Sequence, residues 1–455
     1  MKSWAEEAIF YHIYPLGFCG APESNNEALP ISHSLIKVVD WIPHLKSLGI
    51  NAIYFGPLFQ SVKHGYDTID YCEIDRRLGS DEDFKMIVSK LHEADIKVVV
   101  DGVFNHVGRD FFAFKDLRQN KEASLYKDWF INVNFNNDSP YQDGYSYEGW
   151  EGHFNLVKLN LKNQEVRNYL FGAVYKWMNE FDIDGIRLDV AYCIDEDFLV
   201  ALRSYTDEVA KKMSKDFWLM GEMIHGDYSR LLKENMLHSV TDYECYKGIY
   251  SSHNDKNYFE INHSMNRLFA KGGLYEGSHL YSFVDNHDVN RIASTLVEPK
   301  CINNVYTLLF TMPGIPSIYY GGEWQVTGKK ENGNDAALRP CLDLQEMLTG
   351  NQDLVKHIQK LAAIKKQYEI LHTGLYEQLV VRNEQLIFAR NDQGKRIVVA
   401  LNLVGEAIDM SFKAQEGENS FVDVLSGKEK ILNVTKGECK IHLLPYSAMI
   451  LVKHS

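Results

Sequence analysis

Four short segments decide the fold: DGVFNH (101–106), GIRLDV (185–190), GEM (221–223) and FVDNHD (283–288). Each segment ends an apolar, β-rich run on polar residues, as a buried strand does where it leaves a sheet. Similar runs recur along the chain, with helical spacing between them. This alternation predicts an α/β fold built on a parallel (β/α)8 TIM barrel, with the polar strand ends gathered at one face.

Eight predicted strands alternate with helices. The strands are expected at 9–14, 52–55, 97–103, 185–190, 218–222, 239–243, 281–284 and 317–320. The spacing of apolar residues predicts helices over 34–48, 81–94, 165–181 and 195–213. In such a barrel the active site lies at the C-terminal strand ends, where the polar residues of the four segments fall.

Two further domains are predicted beside the barrel. The connection at 107–159 is far longer than an ordinary βα loop, and we interpret it as an inserted domain B that overhangs the active site. From residue 374 the pattern changes to that of antiparallel strands, with the turn NDQG at 391–394. A C-terminal antiparallel β-sandwich is therefore expected at 374–455, and the barrel at 1–106 and 160–373.

Aromatic side chains are abundant in the predicted domain B. Two interpretations stay open: the rings stack on sugars, or they hold together a lobe that is poor in aliphatic residues. The residues concerned are Phe111, Phe112, Trp129, Tyr141, Tyr145, Tyr147 and Trp150.

The net charge, the N-terminal residues and the cysteine content limit the partners and the location that the sequence allows. The net charge of −14 argues against nucleic acid or an anionic membrane as a partner. Glu6 and Glu7 interrupt any secretory apolar core, and no apolar run is long enough to span a membrane. The seven cysteines are scattered, so we expect neither a disulfide framework nor a zinc site, and predict a cytoplasmic protein. The oligomeric state stays open, and a monomer is compatible with the sequence.

The strand-end residues supply the groups that hydrolyse an acetal between two sugars. The leaving oxygen needs a proton, and the anomeric carbon needs a nucleophile or an activated water. Asp189 and Glu222 follow neighbouring strands, at a separation that suits a retaining enzyme, so we assign Asp189 as the nucleophile and Glu222 as the general acid/base. Arg187 points to the same side of the strand as Asp189 and would keep that carboxylate ionised.

Other polar residues are expected to bind the sugar around this pair. Asp288, at the end of the seventh strand, is the third predicted catalytic carboxylate and would hold hydroxyls of a distorted ring. His106 and His287 would donate hydrogen bonds to hydroxyls, and Tyr66 would form a floor for the ring. Each residue alone has a structural alternative, such as a helix cap or a core histidine. The set of four polar strand ends favours catalysis.

These residues resemble the α-amylase superfamily of retaining glycoside hydrolases, whose four conserved regions are similar to the four segments. The resemblance covers essentially the whole chain. It implies a barrel with domain B after the third strand and a C-terminal sandwich. It also implies a triad of Asp189, Glu222 and Asp288, and a substrate with α-linked glucose, most often an α-1,4-glucan.

Within the superfamily, the chain is most similar to the neopullulanase, cyclomaltodextrinase and maltogenic amylase group. This similarity is carried by HGYDTIDYCEIDRRLG (64–79), LVKLN (156–160) and EFDIDGIRLDVA (180–191). It implies hydrolysis of maltooligosaccharides, cyclodextrins or starch-like glucans. Asp335 and Arg339 stand roughly where the family has a sugar-binding pair, and a surface salt bridge is the alternative interpretation.

Three departures from the group's pattern are visible. The barrel begins at Ile9, where the group usually carries an N-terminal β-domain. The sequence Ala191-Tyr192-Cys193 stands where the group has Ala-Asn-Glu. Secreted α-amylases that bind calcium commonly place Lys or His at the Cys193 position, so we predict neither a metal site nor a cofactor.

Two rival functions remain open at this point. A transglycosidase or phosphorylase on the same scaffold would pass the glucosyl group to an acceptor other than water. A non-catalytic glycan-binding or transporter subunit would typically lack triad residues, whereas this chain has all three.

Overall fold

Eight parallel strands form a barrel in the computed structural model, which describes residues 3–26, 28, 30–331, 333–427 and 431–454. The strands are Phe10–Ile13 (β1), Ala52–Phe55 (β2), Lys97–Gly102 (β3), Gly185–Leu188 (β4), Trp218–Gly221 (β5), Ser239–Val240 (β6), Tyr281–Phe283 (β7) and Ile315–Tyr319 (β8). Their order is β6-β5-β4-β3-β2-β1-β8-β7. A parallel bridge between Thr241 and Tyr281 joins the two remaining edges, so the predicted barrel is confirmed.

Helices connect the strands, and several of them begin at polar caps. The side chain of Ser80 forms a capping box with Asp83, and Asn163 and Asp195 accept hydrogen bonds from the first turns of their helices. The α-helices of the described part are Pro15–Phe18, Val38–Ser47, Asp81–Glu93, Phe112–Asn120, Gln164–Asn179, Glu196–Lys212, Tyr243–Asn254, Tyr258–Phe269, Ile292–Thr295, Ile302–Thr311, Leu344–Thr349, Asp353–Gln367 and Ile370–Thr373. Among them, none is both long enough and apolar enough to cross a membrane.

Large side chains fill the interior of the barrel. Phe10 stacks on Trp218 with ring centroids 5.3 Å apart, and Tyr281 meets Phe10 edge-on at 5.4 Å. A second, larger core lies between the strands and the surrounding helices. Because both faces of the strands are buried, the strands appear in the sequence as continuous apolar runs.

The sixth strand is shorter than its predicted span of 239–243. The strand ends at Val240 because Asp242 caps the helix Tyr243–Asn254, accepting a hydrogen bond from the backbone N–H of Cys245 at 2.9 Å. The eighth strand starts earlier than predicted, at Ile315, since Pro316 is tolerated in its pairing with β7. Neither shift moves a predicted site residue away from the C-terminal face.

The long connection after β3 forms a lobe beside this face. It contains the helix Phe112–Asn120 and a three-stranded antiparallel sheet of His106–Gly108, Gly149–Trp150 and His153–Lys158. A two-stranded hairpin, Phe59–Ser61 with Thr68–Ile74, follows β2. The exact boundaries of domain B, 107 and 159, stay a prediction.

The C-terminal sandwich is also confirmed. Its strands are Leu375–Val381 (β9), Gln385–Asp392 (β10), Lys395–Asn402 (β11), Ile408–Lys413 (β12), Ser420–Asp423 (β13), Ile431–Thr435 (β14), Glu438–Leu443 (β15) and Ala448–Lys453 (β16). They pair antiparallel in the order β9-β10-β11-β16-β13-β14-β15-β12.

Candidate active site

A cleft of about 1210 Å³ opens between the C-terminal strand ends and the lobe. Its walls include the three carboxylates predicted to be catalytic, Asp189, Glu222 and Asp288. Four of the six predicted substrate-binding residues also line it, namely Tyr66, His106, Asp335 and Arg339. The other two, Arg187 and His287, are buried beneath the wall in contact with these groups.

Arg187 joins the two carboxylates assigned to the chemical steps. Its Nη1 lies 3.0 Å from Asp189 Oδ1, and its Nη2 lies 2.7 Å from Glu222 Oε1. Since β4 and β5 pair in register, with Leu188 opposite Gly221, each carboxylate leaves the barrel one residue beyond a paired strand end. The predicted pairing of Asp189 with Arg187 is therefore present, and Glu222 shares the same guanidinium.

A strained turn orients Glu222 toward Asp189. Val190 has φ 41° and ψ 46°, a left-handed conformation that is rare for a β-branched residue. In this conformation its backbone N–H donates to Glu222 Oε2 at 3.0 Å. The turn thus fixes the second carboxylate oxygen of Glu222 while Arg187 holds the first.

Burial and charge shift the pKa values of the two carboxyl groups upward. Burial is the main cause for both: it raises the pKa of Asp189 and of Glu222, and Arg187 opposes the shift. Glu222 and Asp101 raise the pKa of Asp189 further, because their negative charges lie close to it. Two interacting carboxyls of this kind titrate as a pair that keeps one proton to a higher pH than an isolated acid would.

Asp288 has the opposite electrostatic environment. Its Oδ2 lies 2.9 Å from His287 Nε2, and its Oδ1 lies 3.0 Å from Arg339 Nη2. Burial alone would raise the pKa of Asp288, but His287 and Arg339 hold it well below its ordinary value. Asp288 is therefore ionised and can accept hydrogen bonds from a ligand in the cleft.

Asp335 and Arg339 form an ion pair inside the cleft. Arg339 Nη2 lies 3.0 Å from Asp335 Oδ2 and the same distance from Asp288 Oδ1. Lys330 also contacts Asp335, with Nζ 3.0 Å from Oδ1. The salt bridge predicted as an alternative exists, but it lies on the cleft wall and connects directly to Asp288.

Tyr66 and His106 lie on the other side of the nucleophile. The Tyr66 hydroxyl bonds to His287 Nε2 and donates to Asp101 Oδ2 at 3.1 Å. His106 Nε2 lies 4.0 Å from Asp189 Oδ2 and has no hydrogen-bond partner among the described residues, so this buried nitrogen can serve a ligand. Burial lowers the pKa of His106 to about 3, which keeps the ring neutral.

Most aromatic residues of the lobe pack against one another. Of the seven that the sequence singles out, Trp150 lines the cleft, where it stacks on His106 with centroids 5.6 Å apart. Phe111, Tyr145 and Tyr147 are buried inside the lobe. The packing interpretation therefore applies to the lobe in general, and sugar stacking stays a prediction for Trp150.

Sequence reasoning assigned no role to two residues that hold the site together. Asp101 is buried and accepts hydrogen bonds from Arg187 at 2.9 Å and from the Tyr54 hydroxyl at 2.8 Å. Tyr243 lies 3.5 Å from Glu222 Oε1 through its hydroxyl, which accepts from Asn286 at 3.0 Å. Asp101 stands in a recognised segment, and its burial at a strand end was the available signal. Tyr243 carries no such signal, because only the fold brings it to Glu222.

A metal site needs several ligating side chains close together. Within the described ranges, no three or more His, Cys, Asp or Glu side chains are grouped so that they could hold a metal ion.

Comparisons with known proteins identify sequence and structural relatives of this chain. The α-amylase catalytic domain family matches residues 13–340. The cyclomaltodextrinase of Thermoanaerobacter pseudethanolicus is 31% identical over 98% of this chain and 78% of its own length. The intracellular maltogenic amylase of Bacillus subtilis is 29% identical over 88% of this chain and 69% of its own length. A solved cyclomaltodextrinase structure, 26% identical, superposes with a TM-score of 0.85 over 98% of this chain and 78% of its own.

Proposed function

The chain belongs to the α-amylase family, and we propose that it is a retaining hydrolase of α-1,4-glucosidic bonds in maltooligosaccharides, cyclodextrins or starch-like glucans. The single observation that carries this proposal is the Arg187 guanidinium, which holds Asp189 and Glu222 together at the cleft floor. Retaining glycosidases need two such carboxyl groups within about 5–5.5 Å, one ionised and one protonated. Relatives with α-glucan-degrading names support the substrate class.

In the first step, the Asp189 carboxylate attacks the anomeric carbon of the bound glucosyl unit. The bond from that carbon to the glycosidic oxygen breaks, and Glu222 gives its proton to the leaving oxygen. The product is a covalent glycosyl ester of Asp189 and a free sugar hydroxyl. Arg187 favours this step because it stabilises the ionised form of Asp189 before attack.

In the second step, a water molecule releases the sugar. The Glu222 carboxylate takes a proton from the water, whose oxygen attacks the anomeric carbon and displaces Asp189. Two inversions give overall retention of the α configuration. Asp288 and His106 contribute by binding hydroxyls of the distorted ring more strongly in the transition state, and His287, which lies beneath the cleft wall, holds Asp288 in place through Nε2.

The test of this proposal is a product time course. Maltoheptaose, β-cyclodextrin, starch and pullulan are each incubated with the enzyme, and NMR follows the anomeric configuration of the first product. We expect α-configured maltooligosaccharides, and Asp189→Ala should abolish turnover in a folded protein. Initial β-anomers would contradict retention, and cleavage that requires an acceptor sugar or phosphate would favour a transferase instead.

We also propose a cytoplasmic location. All seven cysteines are free thiols, which fits a reducing compartment, and the Bacillus subtilis relative is named intracellular. Fractionation of the native host, with activity measured in the cytosol and in the culture medium, tests this location. Activity that is mainly in the medium would refute it.

A further inference from the structure

A group of buried polar side chains lies behind the loop that carries His287 and Asp288. We call it the Arg291 cluster; its members are Asp285, Arg291, Tyr306 and Glu323. Asp285 and Tyr306 face Gly322, and Arg291 and Glu323 interact electrostatically with both of them. Each side chain of the cluster is at most 1% exposed. They come from the segment after β7, the helix Ile302–Thr311 and the turn after β8.

Every member of the cluster has a polar atom without a partner. Within the described residues these atoms are Asp285 Oδ1, Arg291 Nε and Nη2, the Tyr306 hydroxyl and Glu323 Oε2. Buried polar atoms are almost always hydrogen-bonded, so several unpaired polar atoms in one place require an explanation. A Cβ added to Gly322 would lie 2.6 Å from the Tyr306 hydroxyl and 3.9 Å from Asp285 Oδ1. Gly322, which has no side chain, thus faces the unpaired oxygens of Tyr306 and Asp285.

The mixture of donors and acceptors among the unpaired atoms fits water as the ligand. Arg291 offers donors, Asp285 and Glu323 offer acceptors, and a tyrosine hydroxyl can act as either. A cation would be repelled by the guanidinium and an anion by the carboxylates. Water can accept from the first and donate to the second, and buried water typically has about three such partners.

The cluster is tied to the loop that carries Asp288. Asp285 Oδ2 accepts from the backbone N–H of Ile292 at 2.8 Å and so closes the loop on itself. Arg291 Nη1 donates to the carbonyl of Tyr320 at 2.8 Å, and its guanidinium stacks 3.9 Å from the ring centroid of Tyr319. Asp285 thus closes the segment 285–291 onto Ile292, and Arg291 anchors its other end to the C-terminal end of β8.

We propose that ordered water joins Arg291 to Asp285, Tyr306 and Glu323, and that this cluster fixes the loop that presents Asp288 to the sugar. Asp285 and Arg291 are positioning residues in this view, and none of the cluster lines the cleft. The role of Asp288 rests on the proposed function, whereas the water site does not.

The kinetic test is a double-mutant cycle. Gly322→Ala, whose methyl group would lie 2.6 Å from the Tyr306 hydroxyl and displace this partner of the water, is made in the wild type and in Asp288→Asn, and turnover of an aryl α-maltoside is measured. We expect Gly322→Ala to lower kcat about 10-fold in the wild type, with little change in KM, and less than about twofold in Asp288→Asn. Equal losses in both backgrounds, or none in either, would overturn the positioning role.

Controls separate this effect from simple destabilisation. Gly172→Ala adds a methyl group with nothing within 4 Å and should leave kcat unchanged. Tyr306→Phe removes one water partner without added bulk, so it replaces Gly322→Ala if that variant does not fold. Both are assayed well below their melting temperatures, where a merely structural role would not change kcat.

A high-resolution crystal structure tests the water directly. We expect ordered water within hydrogen-bond distance of Arg291 Nε and Asp285 Oδ1 in the wild type, and its loss in Gly322→Ala. Direct contact of Arg291 with the carboxylates, or a dry cluster, would overturn the proposal. If wild-type protein holds the water but cleaves no glucan, the proposed function fails and the water site stands.

Discussion

A single residue, Arg187, determines the charge balance of the cleft. One guanidinium contacts Asp101, Asp189 and Glu222, with nitrogen–oxygen distances from 2.7 to 3.1 Å. Three negative charges around one positive charge leave an excess of negative charge in a buried space. The simplest way to relieve it is to keep a proton on one carboxyl group, which is what a general acid requires.

Glu222→Gln tests the general acid directly. The amide cannot protonate a leaving oxygen, so cleavage of maltooligosaccharides should fall about 10²- to 10⁴-fold. Aryl α-maltosides with acidic phenols need no such proton, and their first-step rate should be much less affected. Glu180→Gln, which alters a surface pair with Lys85, is the control and should behave as wild type. Equal losses on both substrates would contradict the assignment.

The pH dependence of the reaction follows from the same charges. Because burial raises the pKa of Glu222, its proton is retained as pH rises and is lost only above the ordinary range of a glutamic acid. The kcat/KM for maltotriose should therefore decline on the alkaline side, with an apparent pKa that belongs to the Asp189 and Glu222 pair. Asp288 stays ionised, since its pKa is lowered, and should contribute no step near neutrality.

Stopped assays from pH 4 to 10, with stability checked at each pH, measure this profile. In Glu222→Gln, assayed on an activated aryl glycoside, the alkaline decline should disappear. An alkaline decline of kcat/KM at the same pH in Glu222→Gln would mean that a group other than Glu222 causes the decline.

Among the structural elements, the turns that follow strands β4 and β5 set the position of Glu222. Gly221 ends β5 immediately before Glu222, and an added Cβ would lie 2.8 Å from that of Ala191 and 2.4 Å from Leu237 Cδ1. Ala191 follows Val190, whose backbone N–H bonds to Glu222. The close approach of these two turns therefore requires a residue without a side chain.

Gly221→Ala should disturb the turn and the carboxylates together. We expect kcat to fall about 10-fold or more, because misplacing reacting groups by a fraction of an ångström is costly, with a destabilisation of about 1–3 kcal/mol from overpacking. Urea unfolding and steady-state kinetics measure the two effects. Gly172→Ala, in the middle of the helix Gln164–Asn179, should instead be neutral or stabilising by up to about 1 kcal/mol. Unchanged kcat in Gly221→Ala would show that the turn tolerates displacement.

The sequence predicts elements best where the local pattern and the tertiary role agree. The strand ends at Asp189, Glu222 and Asp288 could be found because an apolar run that stops on a carboxylate is a local signal. Tyr243 and the Arg291 cluster could not be found, since their partners are distant in sequence and are brought together only by barrel closure. The lobe aromatics were ambiguous because a ring that packs and a ring that binds sugar have the same composition.

In the whole molecule, the packing of the sandwich on the barrel alters the apolar pattern of the sandwich strands. Strands β10 and β11 contain runs of consecutive apolar residues, LIFA at 386–389 and IVVAL at 397–401, although antiparallel strands usually alternate. Alternate residues belong to different cores: Leu386, Phe388 and Val399 join the core of the barrel, whereas Ile387 and Val398 join that of the sandwich. One sheet face is therefore packed on the barrel, so we expect the two to unfold together.

Arg390 makes this cooperativity testable. It is buried on β10 and donates to three backbone carbonyls, those of Thr311, Leu371 and Gly374, at 2.8–3.0 Å. Arg390→Met would remove this donor from the carbonyls of Thr311 and Gly374, each at a cost of about 1–3 kcal/mol, whereas the Leu371 carbonyl keeps a hydrogen bond from Lys365 Nζ at 3.0 Å. The free energy of unfolding should therefore fall by at least about 2 kcal/mol. Arg382→Met, in the exposed turn after β9, should change it by less than about 0.5 kcal/mol.

Urea unfolding followed by far-UV circular dichroism and by loss of glucan cleavage distinguishes two outcomes for Arg390→Met. If the shared core couples the domains, both signals shift together to lower urea in one transition, because the sandwich cannot loosen without exposing the barrel face that it covers. If activity survives while part of the circular dichroism signal is lost, the barrel is stable without its contact to β10, and the sandwich is a separate folding unit.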